Sequence, residues 1–373
     1  MLRIKKTCCL LAVLLAVCSP AAWGQILYGQ PTAGSIQFSY TDWSIESSSG
    51  KTTISQLTIP VNGFIPLQND FEALFYVASS SNDLVERGTE YSLAGMSDFR
   101  LMLNRSFMDD HLVTSLGVNL PLGKKKLDLS KEWIIIDYLS DNYLSFPVRR
   151  FGEGLGLSLL FGGAGSAGEM RYGAGVMYQY NGTYEPYEGY DDYNPGDLVS
   201  FNLGAEIHSD EFTLGSDLII SLYTADRSGD TRVYKQGDQV DFRLAGSHGT
   251  ELFAATAAVR YLWRGAQTGY DTDTDKEIES LKSYGNEFVV TGMVSWSLMS
   301  DWSFAPAAEL KLISANEMGF DNSSVFGFGA GIGRKLGERV NFDVGARLYT
   351  GNADGGNVDL SGFQITGGLT GTF

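Results

Sequence analysis

Apolar side chains alternate with polar or small ones along the C-terminal third of the chain, and this two-residue period restricts the fold most. In a β-strand, successive side chains point to opposite faces of the sheet, so the period predicts strands with one apolar face. The clearest segment has apolar residues at every second position: Val340, Phe342, Val344, Ala346 and Leu348. The same alternation recurs in segments that begin at Phe288, Trp302, Phe326 and Phe363. These segments predict consecutive strands of one sheet.

Less regular alternation extends back to residue 34 and gives about 16 predicted strands, or about 14 if the polar and glycine-broken segments are not strands. One of these strands is residues 232–246. Tight turns between strands alternate with longer links, which are residues 81–93, 121–152, 181–197 and 264–284. Outer-membrane barrels have short periplasmic turns and long extracellular loops, and an even number of strands leaves both termini periplasmic.

The composition fits a sheet that faces lipid on one side. The chain contains 45 glycines, 19 tyrosines and 21 phenylalanines. A soluble sandwich would show a similar alternation, but it would need neither so many strands nor an export signal. In hydrocarbon every backbone amide must be paired, which a sheet achieves only by closing on itself. We therefore predict an all-β fold, a single transmembrane antiparallel β-barrel of 14–16 strands, integral to the outer membrane of a Gram-negative bacterium.

The N-terminal segment predicts export. Basic side chains within residues 3–6 precede an apolar run over 9–17, and residues 22–24 form a small-x-small cleavage site. We expect a signal peptide at 1–24 and the barrel at 25–373. A lipoprotein signal is the alternative, because residues 15–18 resemble a lipobox. All three cysteines lie within the signal, so the mature chain has no disulfide and no thiolate site.

The chain ends on Phe373, which closes the alternating segment that begins at Phe363. A terminal phenylalanine after an alternating strand resembles the C-terminal signal by which bacterial outer-membrane proteins are recognised for barrel insertion. The resemblance implies the barrel-assembly machinery as a partner, besides outer-membrane lipid and lipopolysaccharide. The alternative is an ordinary edge strand that ends in an exposed aromatic residue.

Charge and histidine content argue against two other classes of protein. The formal net charge of −17 does not suit nucleic-acid binding, which needs a basic surface. His111, His208 and His248 each lie beside a predicted periplasmic turn, and neither a Gly-x-Ser-x-Gly elbow nor a metal-binding histidine pair occurs. The acidic run 271–275 begins like a calcium loop but has Lys276 where an EF-hand needs glycine. We expect no enzyme, no cofactor and no metal site.

Charged side chains are costly on the lipid face of a barrel, so those within strands are expected to face the lumen. Both signs occur, which makes ion pairs across the lumen as plausible as a selective ring of one charge. The predicted lumen-facing residues are Arg100, Arg171, Glu206, Asp217, Arg243, Arg260, Glu309, Lys311, Asp343 and Arg347.

The link 121–152 is unusually apolar for a loop in water. We expect Ser130 to cap a short helix within it. The predicted ligand or gate residues are Trp133, Ile134, Ile135, Ile136, Tyr138, Leu139 and Tyr143. Such a segment must cap the barrel by packing on itself, contact an apolar ligand or mediate self-association. The link 181–197, with a tyrosine at every third position of 184–193, is expected to be an extended, solvated loop, or else to bind a cation or a polar aromatic ligand.

Residues 97–103 and 112–124 carry a family resemblance. They read Ser-Asp-Phe-Arg-Leu-Met-Leu and Leu-Val-Thr-Ser-Leu-Gly-Val-Asn-Leu-Pro-Leu-Gly-Lys. This pair resembles the D-x-x-L and L-G-x-x-L-P-x-G-K hairpin of outer-membrane transport proteins, namely the aromatic-degradation (meta-pathway, phenol-type) barrels and, more distantly, the fatty-acid transporters of the FadL type. The match covers roughly 95–180. It implies passive uptake of small hydrophobic molecules.

The chain departs from the fatty-acid transporters at its beginning. Few residues separate the predicted cleavage site from the first strand, so the N-terminal plug of those transporters has no expected counterpart. Gating would then depend on loop 121–152. We therefore predict an outer-membrane channel for passive uptake of small hydrophobic or aromatic compounds. The alternatives are a nonspecific diffusion porin and a structural or adhesive surface barrel.

Overall fold

A computed structural model describes residues 32–68, 70–190, 192–209, 211–250 and 252–373, and the predicted signal peptide lies outside them. No helix within these residues is long and apolar enough to cross a membrane. The helix is α1 (Trp133–Ser140), and Asp354–Gly356 form a 3-10 turn. The strands are β1 (Ala33–Ser47), β2 (Gly50–Pro66), β3 (Phe71–Glu86), β4 (Thr89–Met96), β5 (Phe99–Phe107), β6 (Leu112–Leu120), β7 (Gly156–Ala167), β8 (Met170–Asn181), β9 (Tyr193–Asn194), β10 (Leu198–His208), β11 (Phe212–Tyr223), β12 (Ala225–Ser228), β13 (Thr231–Lys235), β14 (Gln239–Gly249), β15 (Phe253–Arg264), β16 (Gln267–Tyr270), β17 (Glu277–Leu281), β18 (Glu287–Ser297), β19 (Trp302–Ile313), β20 (Ser323–Lys335), β21 (Val340–Ala353) and β22 (Val358–Thr372).

The large sheet closes on itself. Each barrel strand pairs antiparallel with the next, and β1 pairs with β22 along its whole length, from Ala33–Thr372 to Ser47–Val358. β4 and β5 both pair with β3 and are separated by Ser97 and Asp98, so together they occupy one place in the barrel. The barrel therefore has 16 strands, which confirms the predicted fold class.

The two faces of the barrel differ as a membrane wall requires. In β10, Phe201, Leu203 and Ile207 lie on the outer face and are exposed, whereas Asn202 and Glu206 lie on the inner face. Large exposed apolar side chains recur on the outer face of other barrel strands, as at Phe328 and Leu348. The outer wall suits hydrocarbon, and the polar inner face suits a lumen.

Two of the predicted boundaries were wrong. Residues 81–93 are not a link but a hairpin, in which β3 runs on to Glu86 and β4 returns after a turn at Arg87 and Gly88. The outer face of this hairpin is polar, as at Asp83 and Ser92, while Leu84 and Leu93 lie buried on the inner face, so the alternation typical of a lipid-facing strand is absent. Residues 232–246 are also not one strand. The chain breaks at Gly237, where a Cβ would lie 2.2 Å from the carbonyl oxygen of Gly265, and β13 joins a small separate sheet with β9, β12, β16 and β17.

Adjacent residues of β10 test the two faces. We expect Leu203→Arg to lower the free energy of unfolding by about 2–4 kcal/mol, because the charge would lie in hydrocarbon near the middle of the strand. Asn202→Arg should change it little, because its side chain enters the lumen. Denaturant unfolding in phospholipid vesicles measures both. Equal destabilisation by the two variants would contradict the assignment of the faces.

Candidate functional site

The loop that connects β6 to β7, residues 121–155, folds against the inner wall of the barrel; we call it the mouth loop. Its helix buries Ile135, Ile136 and Leu139, and the chain beyond the helix continues the same core. This further part contributes Leu144, Phe146, Val148 and Phe151. The wall side of the core is formed by Trp43, Ile45, Ile54, Ala78, Leu84, Leu93, Val325, Tyr349, Ala353 and Leu360. The loop thus covers one side of the lumen near the long-loop end.

The other predicted gate residues border this core. Trp133, Ile134, Tyr138 and Tyr143 are partly buried against it. The Tyr138 hydroxyl donates to Oε1 of Glu86 at 2.9 Å, which ties the helix to the tip of β3. The Tyr143 ring stacks on Phe320 with their centroids 6.1 Å apart. The seven residues therefore share one packed region.

Gln56, on the inner face of β2, is fully buried and binds the mouth loop through its side-chain amide. Its Nε2 donates to the carbonyl oxygen of Val148 at 2.7 Å, and the Val148 amide donates back to Oε1 at 3.2 Å. Nε2 also lies 2.7 Å from Oδ1 of Asn82. Leaving such buried groups unpaired would cost about 1–3 kcal/mol each. The pairing therefore fixes the position of the loop along the barrel axis.

Lys311 holds the loop from another part of the wall. It projects from β19, and its Nζ donates to the carbonyl oxygen of Asn142 at 3.0 Å and to Oγ of Ser145. Gln56 and Lys311 therefore secure the segment 142–148 at two of its positions. Of these two anchors, only Lys311 was among the residues predicted to face the lumen.

Asp98 fastens both ends of the mouth loop. Its Oδ1 accepts the Gly123 amide at 2.9 Å, and its Oδ2 accepts the Glu153 amide at 2.7 Å and the Asn119 side-chain amide at 2.9 Å. The two ends touch, because a Cβ on Gly123 would lie 2.1 Å from the carbonyl oxygen of Phe151. Asp98 and Gly123 both belong to the segments that resemble the transport-protein hairpin. Their contact at the ends of the mouth loop gives these two motif residues a structural role.

The expected Ser130 cap was wrong. The residue before the helix is Glu132, which makes no side-chain capping bond, and Oγ of Ser130 donates to Oδ1 of Asp128 at 2.6 Å. The backbone carbonyl of Asp128 accepts the amide of Glu132 at 2.8 Å. A helical start does form here, but Asp128 organises the turn before it.

The tyrosine-rich link is not an extended solvated loop, because it packs on the mouth loop. Leu127 and Tyr187 form a parallel bridge, and the Glu188 amide donates to the Leu127 carbonyl at 3.2 Å. The rings of Tyr187 and Tyr190 stack with centroids 5.0 Å apart, and Trp133 meets Tyr187 edge-on at 5.2 Å. The spacing of three residues brings these rings into one aromatic group above α1.

Ion pairs lie on the inner face of the barrel wall, and one of them reaches the mouth loop. On β14 and β15, Arg243 and Arg260 both bind Asp241, with N–O distances of 2.6 and 2.9 Å. Two other ion pairs join Arg100 to Glu153 and Arg347 to Glu309. The register places the remaining predicted lumen residues on inner-face positions: Asp217 beside Arg243, Glu206 beside Arg171, and Asp343 between Gly333 and Gly368. Opposite charges therefore meet within the lumen.

The three histidines lie at three separate turns at the end that carries the termini. His111 Nδ1 lies 2.8 Å from the Met108 carbonyl, and His208 Nδ1 lies 2.8 Å from Oγ1 of Thr213. The His248 ring contacts Phe253. In the acidic run at 271–275, Oδ1 of Asp271 accepts hydrogen bonds from the backbone amides of Asp273 and Thr274. Each of these groups is bound within its own turn.

Comparisons with known proteins found solved structures of low sequence identity. No protein-family model matches the chain, and a search of curated proteins found no match. Among solved structures, a CymD monoaromatic hydrocarbon channel is 12% identical, over 96% of this chain and 92% of that one, with a TM-score of 0.44. A bacterial polysaccharide outer membrane secretin is 11% identical, over 91% and 98%, with a TM-score of 0.46. A Pseudomonas aeruginosa FadL homologue is 9% identical, over 96% and 93%, with a TM-score of 0.46.

Because these TM-scores are below 0.5, the likeness identifies neither a family nor a function for this chain. The class of protein follows from the barrel itself, because a closed sheet with an apolar outer wall satisfies every backbone amide in lipid. The chain is an integral outer-membrane β-barrel.

The Asp98 contacts predict how the mouth loop responds to cleavage. We expect Asp98→Ala to make trypsin cut the folded barrel within 124–150 about tenfold faster, since hydrogen bonds to a charged group contribute about 1.5–3 kcal/mol. Asp83→Asn, on the outer face of the β3–β4 hairpin, is the matched control. Mass spectrometry of the fragments locates the cuts. Equal cleavage of the Asp98 variant and the parent would show that contacts other than those of Asp98 hold the two ends of the mouth loop.

Asp141, just after α1, is a partly buried titratable group of the mouth loop. The pKa of its carboxyl is raised to about 6: burial is the main cause and Asp137 adds to it, whereas the Tyr143 hydroxyl, which donates at 2.8 Å, and Arg149 act to lower it. Because the pKa of the seated group is raised, its contribution is fully present below the ordinary value of 3.8 and is lost as pH rises through about 6.

We therefore expect channel conductance in planar bilayers to be lower near pH 4 than at about pH 7.5, because protonation favours the seated loop. Asp141→Asn should remove most of this difference, and Asp83→Asn should keep it. A pH dependence that persists unchanged in the Asp141→Asn variant would assign it to another group.

Proposed function

We propose that the chain is a passive channel for small hydrophobic or aromatic compounds and that the mouth loop is its gate. The observation that carries the proposal is the apolar contact between this loop and one side of the inner wall, made by residues such as Ile135 and Leu139 against Trp43 and Ile54. When the loop moves away, a solute meets apolar surface on both sides. Burial of apolar groups contributes about 25 cal/mol per Å², which favours apolar solutes on this path.

One buried polar group favours a solute that contains an aromatic ring or an oxygen acceptor. The indole N–H of Trp43 is buried beneath the loop and has no hydrogen-bond partner among the described residues. The Trp43 ring lies 5.0 Å from the Tyr349 ring. A compound with an apolar body and one acceptor could use both the ring surface and the free donor. Most pockets for small molecules combine apolar walls with a few polar groups in this way.

The gate is held by few directional contacts, so it can open without unfolding the barrel. Gln56 and Lys311 contribute hydrogen bonds to 142–148, Tyr138 contributes one to Glu86, and apolar packing supplies most of the remaining contact. Net hydrogen-bond contributions are about 0.5–1.5 kcal/mol each, so their loss shifts the equilibrium between seated and open loop by a measurable factor.

Solute entry into vesicles that carry lipopolysaccharide in the outer leaflet tests the function. We expect the protein to accelerate toluene entry well above the protein-free rate and glucose entry only slightly. Gln56→Ala should raise glucose entry, by about tenfold if it loses about 1.4 kcal/mol of seating free energy. Asn62→Ala is the matched control, because Asn62 lies on the inner face of the same strand and bonds to Ser35 rather than to the loop.

The remaining outcomes separate the alternatives. Equal entry of glucose and toluene through the parent protein would indicate a diffusion porin. Entry of neither solute would indicate a structural or adhesive barrel. If Gln56→Ala and Ile135→Asp both leave entry unchanged, the mouth loop is not the gate.

A further inference from the structure

Arg105 is a cation on the outer face of β5. It shares that face with Leu101 and Leu103, and its register partner is Phe71 on β3. Its guanidinium carbon lies 4.9 Å from the centroid of the Phe71 ring and 4.6 Å from that of Phe107. Two aromatic rings therefore contact one outward-facing guanidinium.

A similar arrangement, with one ring in contact, occurs at Arg334 on the outer face of β20. Its guanidinium carbon lies 4.9 Å from the Trp302 ring centroid, and its register partners are Trp302 on β19 and Phe342 on β21. β5 and β20 are not neighbours in the barrel, so the two sites are independent. Two unconnected strands thus present an arginine and aromatic rings to the membrane.

Both arginines lie at the end of the barrel that carries the termini and the short turns. Arg105 is two residues from the end of its strand, and Arg334 is next to the last residue of its own. The following turns expose Met108 and Leu336, so apolar surface continues to the rim. Charged residues on the outer face are costly at the membrane midplane but are tolerated near its interfaces, which places both groups at the periplasmic headgroup layer.

Neither guanidinium forms an ion pair or hydrogen bond with the part of the chain that the structure describes. A ring that contacts a guanidinium through its face leaves the N–H groups, which lie in the guanidinium plane, available to an acceptor. That edge matches the oxygens of a phosphate, which arginine binds with two parallel hydrogen bonds. The lipids at this end of the barrel are those of the inner leaflet, whose headgroups contain phosphate.

We propose that Arg105 and Arg334 are two binding sites for the phosphate groups of inner-leaflet phospholipids. The proposal does not depend on transport. Each site combines a guanidinium for the phosphate, aromatic rings at the headgroup level and adjacent apolar residues for the upper part of the acyl chains. Basic residues at a membrane surface attract anionic lipids with about 1 kcal/mol each, so an anionic phospholipid should bind most strongly.

Native mass spectrometry of the detergent-solubilised, folded protein tests the sites with phosphatidylglycerol as the probe. We expect Arg105→Gln and Arg334→Gln each to weaken the binding of one phosphatidylglycerol by about fivefold, and the double variant to lose both tight sites. Arg171→Gln is the matched control, because it removes a cation at the same end but from the inner face. Heat-modifiable electrophoretic mobility shows that each variant retains a folded barrel.

Two further lipids identify the group that is bound. Diacylglycerol, which lacks phosphate, should show no difference between the parent and the double variant. Lipid A carries phosphate but belongs to the outer leaflet; if the double variant loses lipid A and keeps phosphatidylglycerol, the proposal is wrong. It is also wrong if the double variant binds phosphatidylglycerol like the parent, or if Arg171→Gln causes the same loss. Arg105→Lys and Arg334→Lys, which keep the charge without the planar guanidinium, should retain only part of the affinity.

Discussion

Backbone pairing between β1 and β22 closes the sheet. This closure determines which residues of the remaining strands face the lumen and which face lipid. The pairing runs from Ala33–Thr372 to Ser47–Val358 without a break. In lipid an open edge would leave amides with no partner, at a cost of several kcal/mol for each group. Once the sheet is closed, every second residue lies in the lumen and the others meet lipid. The two-residue period of the sequence is the consequence of this geometry.

Closure also creates the space that the mouth loop occupies. Barrels of 16 or more strands are too wide to be filled by wall side chains alone. The helix α1 has eight residues and no side-chain cap, so it would be unstable in isolation. Its stability must come from the wall, through the core that includes Ile135, Leu139 and Trp43. The helix and its seat therefore depend on each other, and a loop that leaves the wall is expected to lose its helix.

The sequence predicted most of the barrel because lipid imposes alternation wherever a strand crosses it. The prediction failed at residues 81–93, where β3 and β4 rise above the lipid, their outer face is polar and the apolar residues Leu84 and Leu93 lie on the inner face. The apolar run at 133–139 indicated packing but not its partners. Gln56 contacts Val148 across 92 residues and Lys311 contacts Ser145 across 166, and neither differs in sequence from other inner-face polar residues. Only the three-dimensional register distinguishes such anchors from the rest of the lumen.

The positions of the anchors determine how the mouth loop can move. Asp98 holds the two ends together beside β5, through the amides of Gly123 and Glu153. Gln56 and Lys311 hold the middle of the loop against the wall. If the contacts of the middle break first, the ends stay fixed and the loop swings about them while remaining attached at the mouth. In this arrangement Asp98 and Gly123, which belong to the hairpin motif, form the hinge and need not touch a solute. The same motif is therefore compatible with different contacts between loop and wall and with different solutes.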